Sequence, residues 1–340
     1  MKKVKIGLLG CGRIGKLHGT NLVQSVPQAE LVAVADPFMN DGIKEWAAGL
    51  GIEKVYDDVN KIMEDPEIDA VMICSATPTH VALIEAAAKN GKHIFCEKPL
   101  HTDVKAIKQC IKMCEDAGVK LQVGFVRRFD HNHGKVQEVV ASGKLGAPLI
   151  VKVSSRDPED PPMSYVAVSG GIHVDMTIHD FDMVRFLSGS DAEEVYAIGI
   201  CSKEGYAEHD DVDNTIITIK FKNGAIGVID NTRCSCYGYD QRTEVQCEKG
   251  SVGVTNDLEN QAMISTADGV EVAKPTWFFL ERYNDAFIKE VNQFCKVCLG
   301  EMEVPVTGHD GLEPVLMAIA AKKSLKENRP VKLSEVDVEL

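Results

Sequence analysis

The chain has 340 residues, 44% hydrophobic and 26% charged, with a formal net charge of −14. These are globular values with room for two domains. The acidic balance argues against nucleic acid or an anionic membrane surface as the main partner. No run approaches the roughly 18 apolar residues of a membrane span. Met1-Lys2-Lys3 leads straight into an alternating pattern, so no signal peptide is expected. The eleven cysteines are then expected to be reduced thiols of a cytoplasmic protein. Cys295 and Cys298 form one isolated C-x-x-C without a second pair at zinc spacing, so no metal is expected.

An apolar run at 4–9 ends in Gly10-Cys11-Gly12-Arg13-Ile14-Gly15, a G-x-G-x-x-G that opens a helical stretch to about residue 26. In such a turn the first glycine makes the bend, the second admits a pyrophosphate and the third packs helix on strand. The plain alternative is a glycine-rich turn without a ligand, and the strand–turn–helix order favours the dinucleotide site. A second strand at 31–35 ends in Asp36, about twenty residues past the last glycine, where a carboxylate accepts from an adenosine ribose. The same charge repels a 2′-phosphate, which favours NAD over NADP.

A short helix at 57–64 and a strand at 70–76 follow. Ser75 and Thr77-Pro78-Thr79-His80 lie at the end of that strand, on the edge where doubly wound sheets bind ligands. Ser75, Thr77 and His80 therefore join Gly10, Gly12, Arg13, Ile14, Gly15 and Asp36 as cofactor candidates. A helix at 81–89 leads to a strand at 94–96 that runs into Glu97-Lys98-Pro99. Most lysines are simply exposed. This one sits at the carboxyl end of a buried parallel strand, where a nicotinamide would lie, so Lys98 is read as an active-site lysine with Glu97 beside the cofactor. A helix at 103–117 and a strand at 121–125 complete a parallel sheet with right-handed crossovers.

The pattern then changes. Arg127-Arg128-Phe129-Asp130 leads into a helix ending near 143, with His131-Asn132-His133 read as its solvated start. Strand-like runs fall at 149–154, 194–201, 215–221, 225–231, 242–248 and 251–255, with Asn223-Gly224 as a hairpin turn. They read as one mostly antiparallel sheet whose second face is expected to meet another subunit. Helices are expected at 279–299 and 311–327. Within S-G-G-I-H-V-D-M-T-I-H-D-F-D at 169–182, Asp175 and His179 are four residues apart. On one helix they share a face, and a carboxylate that holds an imidazole makes a general base. The plain alternative is a helix N-terminus with favourable acids and a surface histidine.

G-C-G-R-I-G at 10–15, E-K-P at 97–99 and D-x-x-x-H at 175–179 resemble the Gfo/Idh/MocA oxidoreductases. G-F-V-R-R-F-D at 124–130, the S-R-D-P to S-Y-V region at 155–166, D-M-T-I-H-D-F-D-M at 175–183 and Y-G-Y-D-Q-R at 237–242 narrow the likeness to bacterial inositol 2-dehydrogenases. The resemblance implies an α/β protein: a Rossmann NAD-binding domain at 1–123, then an α/β domain with a large open, mostly antiparallel sheet at 124–340. That second domain would bind substrate and form a homotetramer or dimer. The implied reaction is NAD-dependent oxidation of a ring hydroxyl of a cyclic polyol, myo-inositol to 2-keto-myo-inositol (scyllo-inosose), with Lys98, Asp175 and His179 catalytic. Arg127, Asp157, Tyr237 and His173 are the candidates for holding the other hydroxyls. His173 departs from the apolar or aromatic residue usual there. In an extended segment it would point the same way as Asp175; the plain alternative is a polar substitution beside a helix start. Two further readings stay open: the same chemistry on another inositol isomer, a sugar or a glycoside, and a dinucleotide-binding regulator without chemistry.

Overall fold

The alternation of apolar strands and amphipathic helices closes into a parallel sheet. In the computed structural model, which describes residues 2–340, its strands are β1 (Val4–Leu9), β2 (Ala29–Ala35), β3 (Lys54–Tyr56), β4 (Ala70–Ile73), β5 (His93–Glu97) and β6 (Leu121–Gly124). They lie in the order β3-β2-β1-β4-β5-β6. The order reverses between β1 and β4, which makes the carboxyl ends of those strands the binding edge. The three-residue β3 was too short to show a period.

Ile6, Leu8, Met72 and Phe95 are buried in one cluster with Val291, Phe294 and Cys295 of the helix Asn284–Cys298. The described chain accordingly divides into two compact units. The first holds 2–129, Asp285–Leu312 and Val338–Leu340, and the second Asp130–Asn284 and Glu313–Asp337. A single boundary at 123/124 differs from this division, because the apolar face of Asn284–Cys298 completes the first unit's core rather than the second's.

In the second unit, β7 (Pro148–Arg156), β8 (Ala192–Ile200), β9 (Asn214–Phe221), β10 (Ile226–Thr232), β11 (Asp240–Cys247), β12 (Gly250–Val254) and β15 (Val331–Lys332) form one sheet in the order β12-β11-β7-β10-β9-β8-β15. Every pair is antiparallel except β7 with β10. In β9 the residues Thr215, Ile217, Ile219 and Phe221 are buried while Ile216, Thr218 and Lys220 are exposed. That period of two covers one sheet face, where the helix Ile178–Ser188 packs on β7 and β10. The other face leaves Ile150, Ile198, Ile216 and Ile226 exposed. Ile226 pairs with Ile150, and Ile216 with Ile198, so these side chains form neighbouring pairs.

Several expectations change. The expected helix at 279–299 is two, Phe279–Arg282 and Asn284–Cys298, separated at Tyr283 (φ −114°, ψ 14°). There the tertiary ties of Arg282 outweigh local periodicity. The last long helix begins at Gly308, because Thr307 and Asp310 bond each other's backbone N–H in a reciprocal cap. A hairpin of β13 (Met263–Thr266) and β14 (Gly269–Val272) was not expected; Asp268-Gly269 was its signal. His133 is buried against Thr243 rather than solvated. No helix among the described residues is long and apolar enough to cross a membrane.

Asp130 caps the helix His131–Ala141 and receives Arg282 through Nη1 at 2.5 Å and Nη2 at 3.1 Å. Burial would raise its carboxyl pKa; the Arg282 hydrogen bonds and nearby positive charge overcome that and hold it below the ordinary carboxylate value. Both partners are buried, so removing one strands the other's charge. Asp257 remains 2.9 Å from the guanidinium, which moderates the loss. Asp130→Asn is expected to lower unfolding free energy at neutral pH by about 3 kcal/mol. A carboxyl depressed in the folded state stabilises above its unfolded value of about 3.9, and the contribution vanishes as pH falls through the folded value. Urea melts should therefore show a constant gap between wild type and variant above about pH 5 and a shrinking one at lower pH.

Candidate active site

The glycine turn is set by close approach. Gly10 has φ +92°, and a Cβ on it would lie 2.6 Å from the Ser75 nitrogen. A Cβ on Gly15 would lie 1.9 Å from the Gly10 carbonyl oxygen. A Cβ on Gly12 would meet nothing within 4 Å, so the space above this residue is open. From there the helix Arg13–Ser25 starts with no acidic residue in its first turn. Its N-terminal N–H groups, around Arg13 and Ile14, keep their partial positive charge for an anion.

Asp36 stands beside this turn at the end of β2. Its Oδ2 accepts from the Cys11 N–H at 2.7 Å and its Oδ1 from the Phe38 N–H at 2.8 Å. Each oxygen keeps further acceptor capacity. A dinucleotide fits these residues by type: pyrophosphate over Gly12, ribose hydroxyls at Asp36. Burial, then the Asp36 charge, pushes the Cys11 thiol up to about 12, so it is no nucleophile.

Ser75 Oγ lies 2.6 Å from Thr79 Oγ1, at the turn Thr77–Thr79. Both ring nitrogens of His80 face backbone carbonyls, Nδ1 to Pro99 at 2.8 Å and Nε2 to Ser75 at 3.0 Å. Burial lowers the His80 pKa, so the neutral ring donates its one N–H to one of these carbonyls while the other nitrogen lies against the second. Beside Lys98, the Glu97 Oε1 is 2.7 Å from Nε2 of His18. His18 is fully buried, edge-on to Phe95 and Phe287. The sequence reading missed His18, although its place three residues past Gly15 on the packed helix face was available as a signal. Ligand atoms of His18, Glu97 and Glu290 lie within 4.8 Å of one another, and the His18–Glu97 hydrogen bond engages Nε2 of that imidazole. Cys295, of the C-x-x-C, is pushed up to about 12 by burial, so its thiol is protonated near neutral pH. Arg127 is buried on the turn Val126–Phe129 of this unit.

In the second unit, Gly170 and Gly171 both have positive φ and admit the chain to a short helix, Ile172–Asp175. A second helix starts at Ile178, so Asp175 and His179 do not share one continuous helix. Thr177, at the break, donates from Oγ1 to Asn231 Oδ1 at 2.7 Å, and Asn231 Nδ2 donates to Asp180 Oδ2 at 2.9 Å. These ties to β10 set the direction of the second helix.

The extended segment considered for His173 is likewise not found. The residue is helical and buried, with Nε2 3.3 Å from Thr215 Oγ1. Burial, then the charges of Lys322 and Arg233, lowers its pKa to about 4, so it is neutral near pH 7. Asp175 accepts from the Tyr165 hydroxyl at Oδ1 (2.7 Å) and from Arg233 Nη1 at Oδ2 (3.0 Å). Neither partner had been singled out, and no local pattern links them to Asp175. His179 is half-buried. Asp157 is anchored through its backbone to Thr232 and Ser235. Tyr237 donates to Asp240 Oδ2 at 2.7 Å and accepts from Arg156 at 3.3 Å, so its hydroxyl is already engaged.

The Gfo/Idh/MocA family model, described as an oxidoreductase family with an NAD-binding Rossmann fold, matches residues 4–125. The Gfo/Idh/MocA C-terminal domain matches residues 133–253. A protein named myo-inositol 2-dehydrogenase from Thermotoga maritima is 43% identical over 334 residues, covering 98% of this chain and 99% of its own. An inositol 2-dehydrogenase of Rhizobium meliloti is 39% identical over 332 residues, covering 97% and 99%. A crystal structure of scyllo-inositol dehydrogenase from Lactobacillus casei, with bound NAD(H) and scyllo-inositol, superposes with a TM-score of 0.90. It is 29% identical and covers 98% of this chain and 99% of its own.

The two glycines separate fold from binding. Gly12→Val is expected to weaken NAD binding at least about tenfold, roughly 1.4 kcal/mol, with an unchanged melting temperature, because its side chain enters only the open space. Gly15→Ala is expected to lower stability by about 1–3 kcal/mol through overpacking. Calorimetric titration and thermal melts of both variants check this.

Proposed function

The chain belongs to the Gfo/Idh/MocA oxidoreductase family, and on that footing we propose that it is an NAD-dependent inositol dehydrogenase that oxidises myo-inositol at C2. The observation that carries the reading is likeness over nearly the whole chain to inositol 2-dehydrogenases, in a chain that keeps Lys98, Asp175 and His179 together with the Gly12–Asp36 cradle. The chain is an oxidoreductase acting on a CH–OH group with NAD as cofactor. The substrate isomer, the product and the residue roles are the proposal.

In it, His179 takes the proton of the reacting hydroxyl, since an imidazole titrates near neutrality. Asp175 orients that imidazole and favours its protonated form. Lys98 donates to the reacting oxygen and stabilises its developing negative charge. Gly12, the helix start at Arg13–Ile14 and Asp36 hold the pyrophosphate and adenosine ribose. Bound NAD supplies the hydride acceptor. Arg127 and Asp157 remain the candidates for other substrate hydroxyls, and Tyr237 joins them only by exchanging one of its present partners. His173, buried and neutral, is proposed to shape the wall behind Asp175 instead.

The L. casei structure with scyllo-inositol favours keeping another inositol isomer as the second reading. NADH formation is to be followed with myo-inositol, scyllo-inositol and glucose. The expected order puts myo-inositol first. An advantage of about tenfold in kcat/KM for scyllo-inositol or a sugar, roughly 1.4 kcal/mol, would reassign the substrate. His179→Ala is expected to lose about 10²–10⁴-fold in kcat. Turnover within a few-fold of wild type would support the regulator reading instead.

We also propose a cytoplasmic homo-oligomer. None of the eleven cysteines is in a disulfide among the described residues, as a reducing compartment requires. The pairs Ile150–Ile226 and Ile198–Ile216, four residues apart in register on one exposed sheet face, leave apolar side chains of the kind that mark interfaces. Ile216→Lys with Ile226→Lys is expected to shift the protein to a smaller species in sedimentation, with its fold retained.

A further inference from the structure

We infer that Arg233 is a positioning residue for the reaction, acting through Asp175 by fixing the short helix that carries this carboxylate. The inference rests on the proposed role of Asp175 in inositol oxidation. Arg233 follows the last residue of β10, and its own N–H donates to the Asp213 carbonyl at 2.9 Å, so its backbone is anchored to the sheet. Its side chain is 1% exposed and stands 6.0 Å from the centre of the buried Tyr206 ring. From there the guanidinium reaches two carboxylates. Nη1 donates to Asp175 Oδ2 at 3.0 Å, and Nη2 is 3.5 Å from Asp211 Oδ2.

Asp211 in turn accepts from the Ile172 N–H through Oδ1 at 2.8 Å. Ile172 is the first residue of the helix and Asp175 the last. One buried guanidinium therefore reaches both ends of a single helical turn, one through a hydrogen bond to Asp175 and the other through its ion pair with Asp211. The turn needs such a grip. Four residues make no stable helix of their own, and Gly170–Gly171 before it, both at positive φ, give it a pliant lead.

Tyr165 is the second contact to Asp175, at Oδ1, but it is 47% exposed and sits on the seven-residue helix Met163–Ser169. Of these two, Arg233 is the one held rigid by burial and by its backbone hydrogen bond to Asp213. A lysine cannot replace it, because a single ammonium lacks the planar fork needed to meet two carboxylates at once. The residue touches Asp175 and not the reacting atoms, so its effect is geometric: displacement of an orienting carboxylate by about 1 Å costs on the order of 10²-fold in rate.

The test uses the full-length protein with NAD. Arg233→Ala and Arg233→Lys are expected to lower kcat for inositol about 10²-fold and about tenfold, with KM and NAD affinity within about threefold of wild type. Added guanidinium ion at millimolar level is expected to restore part of kcat in Arg233→Ala and none in Arg233→Lys. Asp211→Asn keeps an acceptor for Ile172 but loses the charge facing Arg233, and is expected to lower kcat about threefold to tenfold. It serves where Arg233→Ala does not fold. Hydrogen exchange followed by mass spectrometry over residues 170–178 needs no substrate. It is expected to accelerate in Arg233→Lys while the β9 and β10 peptides stay protected. Unchanged exchange there, or a kcat within about threefold of wild type, overturns the inference. So does a joint fall of kcat, substrate affinity and melting temperature without guanidinium rescue. If wild-type protein oxidises no inositol, the functional reading fails, and the exchange result alone decides the role of Arg233.

Discussion

The approach of Gly15 to Gly10 is the contact on which the first unit depends. With 1.9 Å between a would-be Cβ and the Gly10 oxygen, only hydrogen fits, and the helix Arg13–Ser25 starts directly against the end of β1. Three consequences follow from that start. The helix N-terminus is aimed along the binding edge, the Cys11 N–H reaches Asp36, and His18 is carried into the core to meet Glu97. A protein of net charge −14 can hold a pyrophosphate because the attraction is local, built from backbone N–H groups rather than from basic side chains.

The second unit solves a different problem. A short helix, a break and a longer helix must present Asp175 and His179 with little local stability of their own. Buried polar ties do this work: Thr177 to Asn231, Asn231 to Asp180, Asp211 to Ile172, and Arg233 to Asp175. Each tie ends on or beside the seven-stranded sheet. The sheet therefore serves twice, as the frame for the polar ties on its covered face and, in the proposed oligomer, as the docking surface on its isoleucine-lined face.

Burial decides which reactive-looking groups stay silent. His173 has a pKa of about 4, and Cys11 and Cys295 lie near 12; in each case desolvation is the largest cause. His80 is buried between two backbone carbonyls and neutral. Residue type alone would admit all of these to a catalytic list. Their surroundings leave each of them buried and uncharged near neutral pH.

The sequence by itself determined the parallel sheet, the glycine turn with Asp36, the mostly antiparallel second sheet and the family. These follow from short-range rules: strand period, turn chemistry and the spacing of glycines. It placed 285–312 with the second domain, since an amphipathic helix shows which face is apolar but not which core receives it. The single helix on which Asp175 and His179 would share a face is two in the structure, and 173 was left open to an extended reading. The break at Met176–Thr177 depends on Asn231, more than fifty residues away in the chain. It did not show the partners of Asp175, because Tyr165 and Arg233 reach it from ten residues before and fifty-eight after. Only the tertiary structure decided these points. A hydrogen bond between distant residues leaves no period in the chain, and whether a polar side chain titrates, ligates or merely braces is set by the dielectric and the partners it meets after folding.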